Sequence, residues 1–137
     1  MHVRQMNAGD VDAAAGINAR EFGTDMATSE SKFERVFAGS VAAVVAEDNG
    51  KVVGYTLAVH KDYSWTPNNA YIQLVGVDKS CRGQGVGSAM MERCLETLKQ
   101  KGYRHAELIV PVERKEAQAL YKKFGFETTA YKMKHRI

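Results

Sequence analysis

The sequence predicts a single α/β domain built around a mixed sheet, and three observations support this fold class. The chain has 137 residues, of which 45% are hydrophobic and 26% charged, and these proportions are ordinary for one globular domain. Short β-branched runs alternate along the chain with apolar patterns of helical period. A glycine-rich turn joins one of these runs to a long amphipathic helix. We therefore expect residues 1–137 to form one domain around one core.

The first half of the chain predicts one strand, two helices and then three strands. Asp10 stands in N-cap position before an apolar stripe of helical period, and a second helical pattern ends at Gly39. Asn49 and Gly50 separate two β-branched runs, which is typical of a hairpin. The strands expected in this half are residues 2–6, 41–46, 52–59 and 70–77.

The second half predicts a long amphipathic helix that ends at Gly102, followed by a short strand over residues 106–110. Apolar residues at helical spacing then predict another helix, which Gly125 ends. Residues 126–129 and 130–133 predict a closing hairpin. The expected element order is therefore β-α-α-β-β-β-α-β-α-β-β, which is typical of an α/β domain.

Composition argues against several classes of protein and site. The longest apolar run, Val41–Ala46, is far too short to span a membrane, and charges within the first thirty residues leave no signal-peptide core. Two cysteines, Cys81 and Cys94, are too few for a disulfide framework or a four-ligand zinc site. We therefore expect no membrane partner, no metal and a cytoplasmic location.

Charge is distributed unevenly along the chain. Residues 1–78 carry 6 basic and 10 acidic side chains, whereas residues 79–137 carry 13 basic and 6 acidic ones. This asymmetry favours an anionic partner for the second half, either a nucleic acid or a phosphorylated small molecule, with a merely solvated basic surface as the alternative. Aromatic residues are not interleaved with the basic ones as base stacking requires, so we do not expect nucleic acid.

The turn after the fourth predicted strand carries the strongest chemical signal. Glycines at positions 83, 85 and 87 open a helix, so backbone N–H groups and the helix dipole predict an anion site, with Arg82 at its edge. A P-loop would need a lysine after Gly87, and a dinucleotide-binding turn would prefer glycine where Ser88 stands. A tight strand–helix turn without a ligand is the other interpretation.

A second motif, Leu-Tyr-x-x-x-Gly-Phe over residues 120–126, follows this turn. Together with Arg82-x-x-Gly85-x-Gly87, it resembles the GNAT superfamily of N-acetyltransferases, and the resemblance extends over essentially the whole chain. The resemblance implies the GNAT fold, a mixed and mostly antiparallel central sheet flanked by helices on both faces. It also implies an acyltransferase in which a primary amine, on a small molecule, a protein or a peptide, attacks the thioester of acetyl-CoA directly.

The resemblance also implies a set of cofactor-binding residues at the end of one strand and in the following turn. Backbone N–H groups of the turn would hold the CoA pyrophosphate with help from Arg82, and the strand end would pair with the pantetheine arm. Gly76 suits a place where a strand must be bare for a ligand to approach. The residues are Val75, Gly76, Val77, Arg82, Gly83, Gln84, Gly85, Val86, Gly87 and Ser88.

Tyr121 matches the family tyrosine whose hydroxyl lies near the thioester sulfur. A phenol with a pKa of about 10 stays protonated at neutral pH, so Tyr121 suits a general acid that protonates the leaving thiolate. The alternative is a core aromatic, because Leu120 and Phe124 lie on the same predicted helix face.

The chain departs from the family pattern at two positions. Arg114 stands where many relatives carry an asparagine that helps hold the pantetheine arm, so Arg114 either binds a phosphate or acidic substrate or faces solvent. Gln73 stands on the strand where relatives often place a glutamate base, and its amide accepts protons poorly. We take Glu107 on the next strand as the general base. The alternatives are a water chain, His105, His60 and Asp62.

The acceptor amine is expected between residues 22–31 and residues 61–69, where acidic side chains and Trp65 would suit a cation, although ordinary polar loops explain these segments equally well. The missing glutamate at Gln73 keeps a second class of function open, namely a non-catalytic CoA-binding sensor or interaction module. The closing hairpin would offer an edge for a homodimer.

Overall fold

A computed structural model describes residues 1–137, and a five-stranded sheet lies at its centre. Strands that are neighbours in the sheet are also consecutive in the chain; the first three pairs are antiparallel and the last pair is parallel. The sheet is therefore mixed and mostly antiparallel, as the sequence predicted. Its strands are β1 (His2–Gln5), β2 (Ser40–Asp48), β3 (Lys51–His60), β4 (Asn69–Val77) and β5 (His105–Glu107).

Helices cover both faces of the sheet. One buried cluster joins the first two helices to side chains of β2, β3 and β4, and a second cluster joins the third helix to the opposite face. The fourth helix packs beside the third, with Tyr121 and Phe124 against that second cluster. None of the helices has the length and apolar composition needed to cross a membrane. The helices are α1 (Val11–Phe22), α2 (Met26–Ala38), α3 (Val86–Gln100) and α4 (Lys115–Lys123).

The β2–β3 hairpin shows how local sequence sets this architecture. Asn49 and Gly50 both have left-handed backbone, with φ of 53° and 76°, which is the conformation of a two-residue type I′ turn. Side chains then alternate between the two faces along each strand. Val45 of β2 packs toward α1 and α2, whereas its neighbours Val44 and Ala46 pack toward α3.

Buried polar groups on the α1–α2 face find partners across the elements. The Tyr55 ring meets Phe33 edge to face, with ring centroids 4.9 Å apart, and Asn18 Nδ2 donates to the Tyr55 hydroxyl at 3.1 Å. Ser29 Oγ donates to the carbonyl of Ala15 at 2.7 Å. Burial raises the pKa of Tyr55 to about 12, so its hydroxyl stays protonated. These contacts fix α1 above β3 and β4.

Position 76 requires a glycine because of this packing. Gly76 pairs with Tyr55 across β3 and β4, and a Cβ on Gly76 would lie inside van der Waals contact of the Tyr55 ring and hydroxyl. The sequence suggested that a ligand approaches this glycine, but in the structure the Tyr55 side chain occupies the space.

Residues 126–137 form neither helix nor strand, so the predicted closing hairpin is wrong. The junction at Thr129 and Ala130 offers no glycine or asparagine for a two-residue turn, and three lysine or arginine residues follow it. Tyr131 and Met133 are exposed, and only Phe126 reaches the core. The predicted strand over 106–110 is also shorter, because β5 ends at Glu107.

We expect Gly76→Ala to destabilise the fold by about 1–3 kcal/mol, since the added methyl group overpacks the Tyr55 ring. Gly39→Ala is the matched control, because its Cβ meets only the carbonyl of Arg35 at 3.9 Å and its φ is −97°. Urea unfolding of both variants measures the free energy difference. Equal stability of the two variants would contradict the packing role of Gly76.

Candidate active site

The parallel neighbour of β4 ends long before β4 does. Pairing with β5 stops at Tyr71 and Glu107, while β4 continues to Val77. The N–H of Asp78 donates to the carbonyl of Val53 on β3 at 2.7 Å, so by alternation the backbone groups of Val75 and Val77 point away from β3. Because these groups face the side that β5 has left, an extended ligand can pair with them as another strand would.

A bulge lies just before this open edge. Leu57 pairs with Leu74, but Ala58 pairs with Ile72, so Gln73 is an extra residue in β4. Gln73 is exposed and reverses the direction in which the following backbone groups point. The bulge therefore turns the backbone of Val75 toward the opening.

The three glycines of the turn after β4 serve two different purposes. Gly83 and Gly85 have φ of 77° and 80°, in the left-handed region that glycine adopts without strain. Gly87 lies inside α3, and a Cβ there would come within 3.3 Å of Leu120 Cδ2 on α4. Gly87 thus allows α4 to pack closely against α3, while the other two shape the loop.

The loop and the start of α3 present a row of free donors. None of the backbone N–H groups from Gly83 to Ser88 donates to another group of the protein, and the first helical bond runs from Ala89 N to Gly85 O at 3.1 Å. Gly85 is the N-cap and has no side chain to satisfy these donors. Together with the positive end of the helix dipole, the row suits an anion with several oxygens.

Arg82 connects this loop to the end of α1. Its Nε donates to the carbonyl of Val77 at 3.2 Å, and its Nη2 lies 2.9 Å from Glu21 Oε1. The guanidinium therefore lies at the mouth of the opening, beside the row of N–H donors.

Glu21 is the residue that the sequence analysis missed. Its Oε1 also accepts from Arg114 Nη1 at 2.9 Å, and the Arg114 guanidinium lies 5.3 Å from the centre of the Phe22 ring. The Glu21 side chain is only 11% exposed, and its Oε2 is buried without a hydrogen-bond partner. A signal was present in the sequence: a glutamate in the last turn of a helix opposes the helix dipole.

Tyr121 lies beside these charges. Burial raises the pKa of its hydroxyl, the Arg114 guanidinium lowers it and the Glu21 carboxylate raises it, so the hydroxyl is protonated at neutral pH. Its ring packs edge to face on Phe126 at 6.0 Å and against the α3 core. The ring is therefore part of the core, whereas the role of the hydroxyl as a general acid stays a prediction.

The structure does not bring Glu107 close to Tyr121 or to the open end of β4. Glu107 aligns with Tyr71, four residues before Val75, which corresponds to roughly 13 Å along a strand. Its Oε1 accepts from Asn69 Nδ2 at 2.8 Å, at the beginning of β4. The carboxylate thus stabilises the start of the β4–β5 pair.

The other candidate bases lie at the same distant end of the sheet. His60 contacts the Tyr103 hydroxyl at 2.8 Å through Nδ1 and Asp62 at 3.1 Å through Nε2. The N–H of Asn69 donates to Asp62, which lowers the pKa of that carboxyl, and His105 is exposed. No group of three or more His, Cys, Asp or Glu side chains is arranged to hold a metal ion.

The two segments expected to hold the acceptor lie at opposite ends of β4. Residues 61–69 precede β4, where Trp65 stacks on Tyr63 with ring centroids 5.0 Å apart. The α1–α2 connection instead lies beside the open edge, through Glu21 and Arg82. Asp25 within it caps α2 by accepting from Thr28 N and Oγ1, and these bonds lower its pKa.

Comparisons with known proteins agree with this geometry. A model of the Acetyltransferase (GNAT) family matches residues 15–126. A protein of Bacillus subtilis (strain 168), described as a putative ribosomal protein bS18-alanine N-acetyltransferase, is 31% identical over 127 residues, which are 91% of this chain and 80% of that protein. An uncharacterized N-acetyltransferase of Methanocaldococcus jannaschii is 40% identical over 88 residues, which are 61% of this chain but only 38% of that relative.

The fold recurs in solved structures. The aminoglycoside N-acetyltransferase AAC(6')-Iy, in complex with a bisubstrate analogue of CoA, has a TM-score of 0.82 at 20% identity and covers 99% of this chain and 97% of that one. The matched family model spans most of the chain and includes both sequence motifs. The chain therefore belongs to the GNAT family of acetyltransferases and has the fold that its motifs predicted.

Proposed function

We propose that the opening between β4 and β5 is where this domain transfers an acetyl group directly from acetyl-CoA to a primary amine. The observation that carries the proposal is a pair of open backbone sets, one at Val75 and the N–H of Val77 on the edge that β5 leaves, and one at the N–H groups of Gly83–Ser88. A pyrophosphate matches the donors of the loop, and a pantetheine arm matches the open strand edge.

The cofactor residues named from the sequence divide into two groups under this proposal. Val75 and Val77 supply backbone partners to the pantetheine arm, whereas Gly76 shapes β4 by leaving room for Tyr55. The second group surrounds the pyrophosphate, and its members either supply free N–H groups or lie beside them. They are Arg82, Gly83, Gln84, Gly85, Val86, Gly87 and Ser88.

The chemistry needs an oxyanion donor and a proton for the leaving thiolate. The N–H of Val75 faces the opening and polarises the acetyl carbonyl, so the attacking amine forms its new C–N bond there. An acceptor that binds as an ammonium loses one proton to solvent before it attacks. Tyr121 donates its hydroxyl proton to the thiolate as the C–S bond breaks, and the proton that the nitrogen loses after attack restores the Tyr121 hydroxyl. The protonated state of the Tyr121 hydroxyl at neutral pH supports this role.

Relatives suggest which amines to test. The Bacillus subtilis relative is described as acting on an alanine of a ribosomal protein, and the AAC(6')-Iy structure is that of an aminoglycoside acetyltransferase. An alanine-initiated peptide, neamine and free lysine therefore form a panel with three kinds of primary amine. All three are cationic at neutral pH.

We expect the protein to release free CoA from acetyl-CoA when at least one amine of this panel is present. A thiol-trapping assay measures the release, and mass spectrometry identifies the acetylated amine. Tight CoA binding by calorimetry without turnover of any panel amine would contradict the transfer reaction and favour a non-catalytic CoA-binding module.

We expect Tyr121→Phe to lower kcat by about 10²-fold, because the leaving thiolate loses its proton donor. Its affinity for CoA should stay the same, since the ring and its contact with Phe126 remain. Tyr131→Phe is the matched control, because Tyr131 is exposed. A kcat of Tyr121→Phe equal to that of the control would remove the general-acid assignment.

Glu107 as general base remains a prediction, and its place at the far end of β4 weighs against it. We expect Glu107→Gln to keep the acidic limb of the pH–rate profile, because Glu107 lies far from Val75 and glutamine still accepts from Asn69, so that the β4–β5 contact is preserved. Loss of that limb, at unchanged thermal stability, would establish Glu107 as the base.

A further inference from the structure

Glu21 joins three segments around the opening through a single carboxylate. It lies in the last turn of α1, and its Oε1 binds Arg82 of the β4–α3 loop and Arg114 at the start of α4, both at 2.9 Å. The second oxygen, Oε2, is buried and has no partner. A buried carboxylate oxygen without a partner is uncommon in folded proteins and points to a group that binds there.

The position of the carboxylate relates it to the reaction. Its charge raises the pKa of both Tyr55, which packs over Gly76, and Tyr121, the proposed acid. Glu21 lies close to the open part of β4, because Arg82 bridges its Oε1 and the carbonyl of Val77. Tyr55 belongs to the core cluster on one face of the sheet, and Tyr121 packs against the cluster on the other face.

The charges around Glu21 change when an anion enters the loop. One carboxylate between two guanidinium groups leaves a net positive charge, which repels a cationic amine. Arg82 immediately precedes the free N–H groups of Gly83–Ser88, so a pyrophosphate held there attracts it more strongly than the single charge of Glu21 does. Once Arg82 turns to the pyrophosphate, Glu21 and Arg114 form a neutral pair with one free oxygen.

We propose that Glu21 binds the ammonium group of the acceptor, and that acetyl-CoA makes it available by drawing Arg82 to its pyrophosphate. The proposal rests on the proposed function and names its acceptor class, a primary amine that is cationic when it binds. Phe22, which is 54% exposed beneath the Arg114 guanidinium, provides an apolar wall beside Glu21. The acceptor therefore enters after acetyl-CoA, beside the end of α1.

Glu21→Gln distinguishes this role from a structural one, because the substitution should strengthen CoA binding and weaken amine binding. Glutamine keeps the size of the side chain and one oxygen for Arg114 but removes the charge that competes for Arg82. We expect isothermal titration calorimetry to show tighter binding of CoA than in the wild type. We expect kcat/KM for the panel amines to fall roughly 10- to 100-fold, mainly through KM, as loss of a charge-assisted hydrogen bond implies.

A third measurement does not depend on turnover. Neamine, titrated into the wild-type protein with and without saturating CoA, should bind measurably only when CoA is present, and Glu21→Gln should lose that binding. Glu92→Gln is the matched control, because Glu92 is exposed on α3 and forms no ion pair. It should match the wild type in all three measurements.

Weaker CoA binding by Glu21→Gln would overturn the proposal and make Glu21 a structural brace. Unchanged amine kinetics in Glu21→Gln, or equal binding of neamine with and without CoA, would also overturn it while leaving the proposed function intact. Failure of the proposed function itself is a different result, namely a wild-type protein that acetylates no amine of the panel.

Discussion

The backbone of β4 must find hydrogen-bond partners on both sides, and after Tyr71 a neighbouring strand supplies them on one side only. β3 continues to pair with β4 as far as Val77, so the strand stays rigid while its other edge is open. The bulge at Gln73 sets which backbone groups face that edge. A rigid strand with unpaired groups is a template for a chain-like ligand, and the position of every other part of the site follows from it.

The electrostatics of the opening depend on where the strand ends. One turn over residues 78–82 separates β4 from the free N–H groups of Gly83–Ser88, and Arg82 immediately precedes this row. Arg82 also reaches Glu21, so the loop for the anion and the end of α1 share one cation. A single side chain thus links the cofactor end of the opening with the side at which we place the acceptor.

Local sequence was enough to predict the features that depend on backbone conformation and period. The turn at Asn49–Gly50, the conformations of Gly83 and Gly85 and the amphipathic α3 all follow from neighbours in the chain. The family motifs then located the opening, because they lie in the loop after β4 and on α4.

Features that depend on distant residues could not be predicted in this way. Gly76 is small because of Tyr55 on the neighbouring strand, which only the strand register reveals. Glu21 meets Arg114 across 93 positions of the sequence, and no local pattern pairs them. The closing hairpin was predicted from apolar alternation alone, although its turn lacks the residues that a tight turn needs.

Amide hydrogen exchange with and without CoA tests the central role of the open β4 edge most directly. CoA should slow the exchange of the Val75 and Val77 amides and of the amides from Gly83 to Ser88, whereas Gly76, whose N–H faces β3, should already be slow without it. Saturation with CoA that left these amides unchanged, or protected only the start of β4 near Asn69, would contradict the account.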